Sequence, residues 1–547
     1  MSMSDRELLA LVNSAEYEAV KYNDEFMEIN ENLLDRYLSE PYGDEIDGQS
    51  QVISSDVEDL VESDMPSLAR IFLSASETVK FIPSSEKEED IAEAEEKTEY
   101  IKHIINTHED SYRIQFSWLK ASLLQKCSVV TYGIDESKRT ETKRYDGINE
   151  IELAQYLEEA RNNYDKVDIV GQDQNDDGSY YLEIRFTTEQ KKPYIMNVPP
   201  EEFIISRGAV TKDKALIVGM KSKKRRGDLI AEGFDKKLVR SIASDDDEDN
   251  FDTKNKRHEK EGGIDFHEAK NHWTTEEVTV SDLYILVDYD EDGIPERRHI
   301  IKAGNKILVN EAFDHVPFAI MSSILMPHKL IGRARGETVL QTQRTQTVIQ
   351  RQVLNNLYKV NNPRNVVHSE VDIDDLMSDQ LGGIIRLDDD ALLPAQAIFP
   401  LTTPYVGDKA LQVSQYIDAK RAQTTGSHMS NQGLNKDDFG KETATRFEGV
   451  EKSGKAKIEL VARVLGETGY KQLFEGLAWM VSHYQDDETE IRALGKTLTV
   501  NPMKWKYDHV IETQVGLGVG DTELATQNMG ALLPVLEQLK TTGSTIV

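Results

Sequence analysis

Three stretches of this chain bring together residues able to do chemistry, and each breaks the rule of its own motif. Residues 449–456, GVEKSGKA, approach a phosphate-binding loop. Such a loop needs G-x-x-x-x-G-K followed by Ser or Thr, whose hydroxyl holds magnesium, and it must follow a strand. Here Ala456 stands at the hydroxyl position and both flanks have a helical pattern. His267 and His272, with Glu268 between them, resemble a zinc-protease motif but lie five residues apart. Five residues turn a helix by about 500°, so the two imidazoles leave on different faces and share no metal. Asp288, Asp290, Asp292 and Gly293 open like a calcium loop, yet the twelfth position is His299. A bidentate Glu is required there, so the spacing predicts a turn between two strands instead. The lone Cys127 lies in the apolar run WLKASLLQKCSVV and reads as a small buried residue. With no G-x-S-x-G elbow and carboxylates too numerous to single out a dyad, the sequence predicts no catalytic centre, no cofactor and no metal. GSHMS at 426–430 looks like a tag remnant but runs on into NQGLN.

The elements that must carry these residues belong to a long, acidic, water-facing chain. It has 547 residues, 38% hydrophobic and 30% charged, with a formal net charge of −34. That length and balance predict several domains with true cores. No run reaches the roughly 18–20 apolar residues of a membrane helix. The N-terminus carries acids early and lacks the basic region of a secretory signal. One cysteine allows no internal disulfide, which suits a reducing compartment. The charge has two readings: no contact with nucleic acid, or a wall past which DNA slides without being gripped. Composition leaves both open.

Along the chain, residues 1–50 have helical spacing, and 51–73 predict a short extended start, capped at Ser54 or Ser55 with Glu58 in a capping box, then a helix. Residues 86–127 predict one long helical tract. Strand patterns follow at SVVTYGI, SYYLEIRFT, YIMNVPPEEFIIS and ALIVGMKS. A basic run at 221–226 leads into a helix-like segment, and an acidic run at 245–249 opens a polar loop. VTVSDLYILVDYD and ERRHIIKAGNKILVN predict strands. A clear helix spans about 336–358, between Gly336 and Asn361-Asn362-Pro363. Between 364 and 404 come a strand (NVVH), a short helix (DIDDLMS) and a strand after Gly382-Gly383 (IIRL). Helices are predicted at about 406–424 and 441–484, then a strand pair near 498–515 and a helix from about Asp521.

Five blocks, in order, resemble the portal proteins of short-tailed bacteriophages of the Salmonella-phage type. They are residues 51–73, 283–293 (LYILVDYDEDG), 324–363, 426–434 (GSHMSNQGL) and 458–475 (IELVARVLGETGYKQLFE). The third, with its Pro-His step, long helix and Asn-Asn-Pro, is the most specific. The resemblance implies an α+β portal fold: a helical and β wing at 1–335, a first stem helix at 336–361, a small α/β clip at 362–404 and a second stem helix at 405–425. A tunnel loop with a long kinked helix takes 426–484, and 485–547 return to the wing and begin a helical crown.

It further implies a dodecameric ring at one capsid vertex of the virion, a head-to-tail connector made in the host bacterial cytoplasm. Double-stranded DNA would pass through it in packaging and ejection. The partners implied are the terminase large subunit, a head-to-tail adaptor, the major capsid protein and a scaffolding protein, with no membrane. Between 333 and 364 the basic residues Arg333, Arg335, Arg344, Arg351, Lys359 and Arg364 face one acid, Glu337. The forked guanidinium groups of these arginines suit carboxylates of a neighbouring subunit, and Lys359 is a candidate beside them, with DNA contact as the alternative. Lys436 and Lys441 are candidates to meet DNA in the channel. In the clip, Arg364, Val366, Ile384, Ile385 and Leu387 are candidates, the apolar ones as strands that pair within it or with a neighbour. The alternatives are another capsid component or, less well supported, a packaging ATPase.

Overall fold

The acidic N-terminal pattern forms one helix, α1 (Asp5–Tyr37), in the computed structural model of the chain. Described are residues 3–73, 79–108, 110–148, 166–174, 180–242, 273–369, 371–378, 383–387, 397–426, 444–485, 489–493, 496–505 and 510–513. After α1 come α2 (Asp56–Phe72), β1 (Val79–Ile82), α3 (Glu88–Thr107), α4 (Ser111–Leu124), β2 (Ser128–Ile148), β3 (Lys166–Gln174), β4 (Tyr180–Val198), β5 (Phe203–Ile205) and β6 (Ile217–Arg225). Then follow α5 (Arg226–Ala231), α6 (Lys236–Arg240), β7 (Glu277–Val287), β8 (Glu296–Ala303), β9 (Lys306–Ala312) and β10 (Phe318–Met321). The rest is α7 (Leu340–Asn361), β11 (Asn365–Val367), α8 (Ile373–Met377), β12 (Ile398–Pro400), α9 (Gly407–Thr425), α10 (Ala444–Leu465), α11 (Lys471–Tyr484), β13 (Thr489–Ala493), β14 (Lys496–Val500) and β15 (Val510–Thr513). This mixture bears out the α+β class. The described residues form two compact units, one from 1–27, 68–333 and 459 onward, the other from 28–67 and 334–458.

In the first unit, a five-stranded antiparallel sheet has the order β5-β6-β7-β8-β9. Leu8, Val12 and Ala19 of α1 follow helical spacing and pack on Ile204, Ile217, Leu283, Ile285 and Ile300 of one sheet face. Each such side chain buried contributes about 1.5–3 kcal/mol. The same helix buries Glu16, which pairs with Lys302 and accepts the Ser281 hydroxyl proton at 2.7 Å. On the other face Val218 and Tyr284 join Phe203, Phe318, Val129 and Cys127. Burial pushes the Cys127 thiol up to about 12, in keeping with its reading as a core residue.

A second sheet has the order β10-β2-β4-β3, with β2 and β4 paired from Val129↔Val198 out to Ile148↔Tyr180. The sequence predicted only the start of β2 and missed β3. The outer arm, DESKRTETKR, alternates charge rather than polarity, so it shows no apolar face to read. The 86–127 tract is likewise two helices. His108 adopts an extended conformation (ψ 134°), and Ser111 N–H bonds back to His108 C=O at 3.0 Å where the next helix starts. The basic run at 221–225 lies in β6, and Arg226 opens α5.

The predicted strand pair near 498–515 has different partners. β13 pairs with β14, and β15 pairs with β1 from the other end of the chain. The helix from Asp521 lies outside the described residues. The 441–484 tract holds a five-residue π-helical turn, Gly466–Tyr470, between α10 and α11. There the Tyr470 ring stacks on Phe72 at 4.4 Å. Gly476 of α11 meets the Tyr132 ring so closely that a Cβ would overlap it.

The failed motifs resolve as structure. Residues 449–456 lie inside α10, and the residues just before them, 444–448, belong to the same helix. Asp288 accepts the N–H groups of Asp292 (3.0 Å) and Gly293 (2.9 Å) and so shapes the β7–β8 turn. His267 and His272 lie outside the described residues. Among the described residues, no cluster of His, Cys, Asp and Glu could hold a metal ion. None of the described helices is long and apolar enough to cross a membrane.

Candidate functional site

The second unit is built on α7, and its buried face is polar. Gln343, Gln346 and Thr347 are its buried residues, at the i, i+3, i+4 spacing of one helical face. Gln343 bridges two helix ends: its amide donates to Arg36 C=O at 3.0 Å, and its oxygen accepts the Val57 N–H at 3.0 Å. Both are backbone groups that a helix terminus leaves without an internal partner.

The pattern continues every fourth residue. Thr347 Oγ1 accepts the Ser54 N–H (3.1 Å), Arg351 Nε donates to Val52 C=O (2.8 Å), and Asn355 Oδ1 accepts the Ser50 N–H (2.7 Å). Four residues of helix rise about 6 Å. Two residues of extended chain span about 6.6 Å. The two periods match, so side chains on one edge of α7 read the backbone of residues 50–54 rung by rung. Ser54 and Ser55 turn their hydroxyls to Asp56 Oδ2 (2.7 Å) and Asp59 Oδ1 (3.4 Å) at the start of α2.

Two acids of α2 anchor the helix pair α7/α9. Arg335 donates from Nε to Asp64 Oδ2 at 3.1 Å and from its terminal nitrogen to Thr425 C=O, the end of α9. Burial pushes the Asp64 carboxyl up, with Arg335 opposing. Arg421 of α9 pairs with Asp56 and lies 3.8 Å from both Asp59 and Asp418. Burial likewise raises Asp59, against the pull of Arg421. Gln346 ties the helices together, donating to Asp418 Oδ1 (3.0 Å) and accepting the Ser414 hydroxyl (2.9 Å). Asn356 binds Pro404 C=O (3.0 Å) and the Val406 N–H (3.2 Å) at the far end, so α7 and α9 run antiparallel. Gly426, with φ 77°, closes α9, and Lys457 of α10 donates to Thr424 C=O at 3.1 Å.

Of the basic residues singled out from sequence, Arg335 and Arg351 find acids within their own chain. Arg351 holds Asp44 at 2.8 Å and also pairs with Glu45. The Tyr42 N–H, then Arg351 and the Gly43 N–H, keep the Glu45 carboxyl down at about 2. Arg333 is exposed and lies in the first unit, where its backbone pairs with Ile324. Arg344 and Lys359 are exposed on α7 and meet no carboxylate among the described residues. Lys436 and Lys441 lie outside the described residues.

In the 362–404 section, β11 and β12 pair from Asn365↔Pro400 to Val367↔Ile398. Arg364 is exposed, and its C=O accepts the Leu401 N–H at 2.7 Å. Val366 lies in β11 and is 55% exposed. The strand expected at IIRL is not formed. Leu387 makes one isolated bridge to Val371, and Ile384 and Ile385 lie outside any strand, Ile384 at 82% exposure. Here Arg386 turns to Asp375 instead, in a two-pronged pair at 2.7 and 3.0 Å that shapes an irregular loop.

The sequence reading missed Asp56, Asp64 and Arg421 and the four-residue ladder. The ladder was visible as hydrogen-bonding residues at 343, 347, 351 and 355; the acids were hidden among so many others. This arrangement uses its polar side chains to hold helices together. It is a scaffold that presents two antiparallel helices.

Residues 8–547 match the family model described as phage SU10 portal protein, and the chain belongs to that family of phage portal proteins. The resemblance to portal proteins is thereby borne out. No curated protein matches the chain.

Proposed function

We propose that the chain is one subunit of a dodecameric ring at a single capsid vertex, the channel for double-stranded DNA in packaging and ejection. The observation that carries this reading is the outward surface of the α7/α9 pair. The buried residues of α9 are Gly407 and Thr425 alone, while Leu411 (59%), Val413 and Tyr416 (70%) are exposed. Val348, Leu357 and Tyr358 are exposed on α7. Each large apolar side chain left in water forgoes about 1.5–3 kcal/mol of burial. Copies standing side by side around a closed ring recover it, since a heterologous contact that closes leaves no free face.

In this reading α7 and α9 are the stem helices, with the clip between them and the long helix α10–α11 following the tunnel loop. Arg344 and Lys359, having no acid partner within the described chain, bridge to a neighbouring subunit or meet DNA. Lys436 and Lys441 are the channel candidates. The exposed β11–β12 pair docks the terminase large subunit first and the head-to-tail adaptor later, while the wing faces the major capsid protein and a scaffolding protein. The net charge of −34 on each subunit disfavours tight phosphate contacts, so DNA slides rather than sticks. The protein acts as a conduit in the virion, made in the host bacterial cytoplasm, and not as a catalyst.

The test is negative-stain electron microscopy of the purified protein with rotational symmetry counted. Rings of near-twelvefold symmetry with a central hole support the reading. Closed shells overturn it in favour of a capsid shell component.

A further inference from the structure

His299 sits in the middle strand of three, with both ring nitrogens occupied. Its Nε2 is 2.8 Å from Asp282 Oδ1 on β7, and its Nδ1 is 3.0 Å from Glu311 Oε1 on β9. In the register it lies opposite Tyr284 on one side and Glu311 on the other. The Tyr284 ring stacks on it at 4.6 Å, nearly parallel. An ionised carboxylate only accepts, and a neutral imidazole donates from one nitrogen only. The two contacts together therefore require the imidazolium. With a side chain 13% exposed, a nitrogen lone pair turned to a carboxylate would find little water to compensate it.

The neighbouring His315 is held in the opposite state. Its Nε2 is 2.9 Å from the Tyr132 hydroxyl, and that hydroxyl is 3.2 Å from Lys212 Nζ. An ammonium only donates, so the Tyr132 oxygen accepts from Lys212, and its own proton turns to the nearer acceptor, His315, rather than to Val316 C=O at 3.4 Å. His315 Nε2 is then an acceptor, and the ring is neutral. Lys212 spends its other protons on Val316 C=O (3.0 Å) and Phe318 C=O (2.9 Å), the start of β10.

Phe313 lies between the two histidines in the chain. Its ring is 5.8 Å from His299, and 5.7 Å from Trp479 and 6.4 Å from Tyr484 of α11. Trp479 stacks with His315 at 4.6 Å and with His483 at 4.1 Å. The aromatic face of α11 therefore rests on the short segment between β9 and β10, and the β9 end of that segment is fixed through Glu311.

We propose that His299 is a proton-operated latch: protonated, it fastens Glu311 and with it the Phe313 seat of α11; deprotonated, it frees Glu311 and the seat loosens. Burial by itself favours the neutral ring. The hydrogen bond and charge of Asp282, then those of Glu311, outweigh it and raise the imidazole above its ordinary range. The groups facing the latch are Asp282 and Tyr284 from β7 and Glu311 from β9. Behind them, Tyr194 of β4 bears on Asp282 and Tyr484 of α11 on Glu311. Burial pushes Tyr194 up to about 12 and Tyr284 well above its usual value, so neither phenol ionises where His299 does. Burial, with Lys212 and His483, holds His315 at about 3, so it stays neutral through the same range. Lys212, lowered to about 8 by burial, also titrates on the alkaline side, but its hydrogen bonds hold β10 and not β9.

The test is hydrogen–deuterium exchange of the full chain, read by mass spectrometry and scaled for the intrinsic rate at each pH. It needs no ring and no DNA, so its outcome is separate from that of the portal reading. In the unmodified protein, protection of β9 and α11 falls on the order of tenfold from about pH 6 to about pH 9. In His299→Gln, protection of β9 is low at both ends and does not change with pH. In Lys212→Met, the β9 response remains. The latch is overturned if β9 protection in the unmodified protein is level across the range, or if its pH response survives in His299→Gln. Should His299→Gln not fold, Glu311→Gln decides. It removes the carboxylate that the latch fastens, so the α11 response disappears; an unchanged α11 response overturns the proposal.

Discussion

Arg335 and Asp64 form a buried ion pair, Nε to Oδ2 at 3.1 Å, where the guanidinium also closes the carbonyl end of α9 at Thr425. One residue thus anchors both helices of the pair to α2. Arg335→Met leaves an unpaired buried carboxylate, and removing one partner of such a pair costs about 3–5 kcal/mol. Arg335→Met with Asp64→Leu recovers most of that loss. Thermal unfolding of the two variants side by side checks it, and equal melting temperatures would count against the pair as an anchor.

Gln343 is expected to be the costliest rung of the ladder to remove. Gln343→Leu keeps the volume but strands the Arg36 C=O and the Val57 N–H, at about 1–3 kcal/mol for each buried group left unmade. Thr347→Val strands one N–H and falls at the lower end of that range. Urea unfolding midpoints should rank the two in that order.

Gly476 reverses a general rule. In an open helix, glycine to alanine gains about 1 kcal/mol. Here the added methyl overlaps the Tyr132 ring, so Gly476→Ala should instead lose on the order of 1–3 kcal/mol by overpacking. A rise in melting temperature would show that α11 does not seat on β2 as described.

The acid limb of stability should depend on His315. Its folded pKa is depressed to about 3, below the value of about 6.5 expected when unfolded. Between those values the unfolded chain binds a proton that the folded chain refuses. Stability therefore rises with pH across this window and levels off above it. His315→Gln, which keeps an acceptor for Tyr132, should flatten that slope in a series of melting temperatures against pH.

Leu411, Val413 and Tyr416 should matter to assembly and not to the fold of the chain. Leu411→Glu with Tyr416→Glu places charges on side chains already in water, so melting of the single chain moves by less than about 0.5 kcal/mol in stability. Sedimentation should show loss of rings. Unchanged assembly would move the subunit contact elsewhere.

Much of the architecture was legible because periodicity reports burial. α1, α7, α9 and the strands β7 to β9 carry regular apolar or breaker patterns, and they lie where those patterns put them. The charged arm of β2 and the strand β3, both paired with β4, carry no run of alternating apolar residues, and an element without that alternation leaves little pattern to read. IIRL shows the converse error. Its β-branched residues suit a strand, yet no strand among the described residues pairs with them, and the Arg386–Asp375 pair holds the stretch as a loop. At the site, sequence could flag arginines as a class. It could not say that Arg335 and Arg351 are satisfied by Asp64, Asp44 and Glu45, because those acids lie hundreds of residues away and are a few among many.

The match between four residues of α7 and two of the chain at 50–54 has a mechanical consequence. The bonds at 343, 347, 351 and 355 lie across the helix, side by side along its length. A force pulling α7 along its own axis loads all of these rungs together, in shear, and they must yield as one. A force peeling the helix sideways opens them one at a time, like a zip. The attachment is therefore stiff in the direction of the helix and compliant across it.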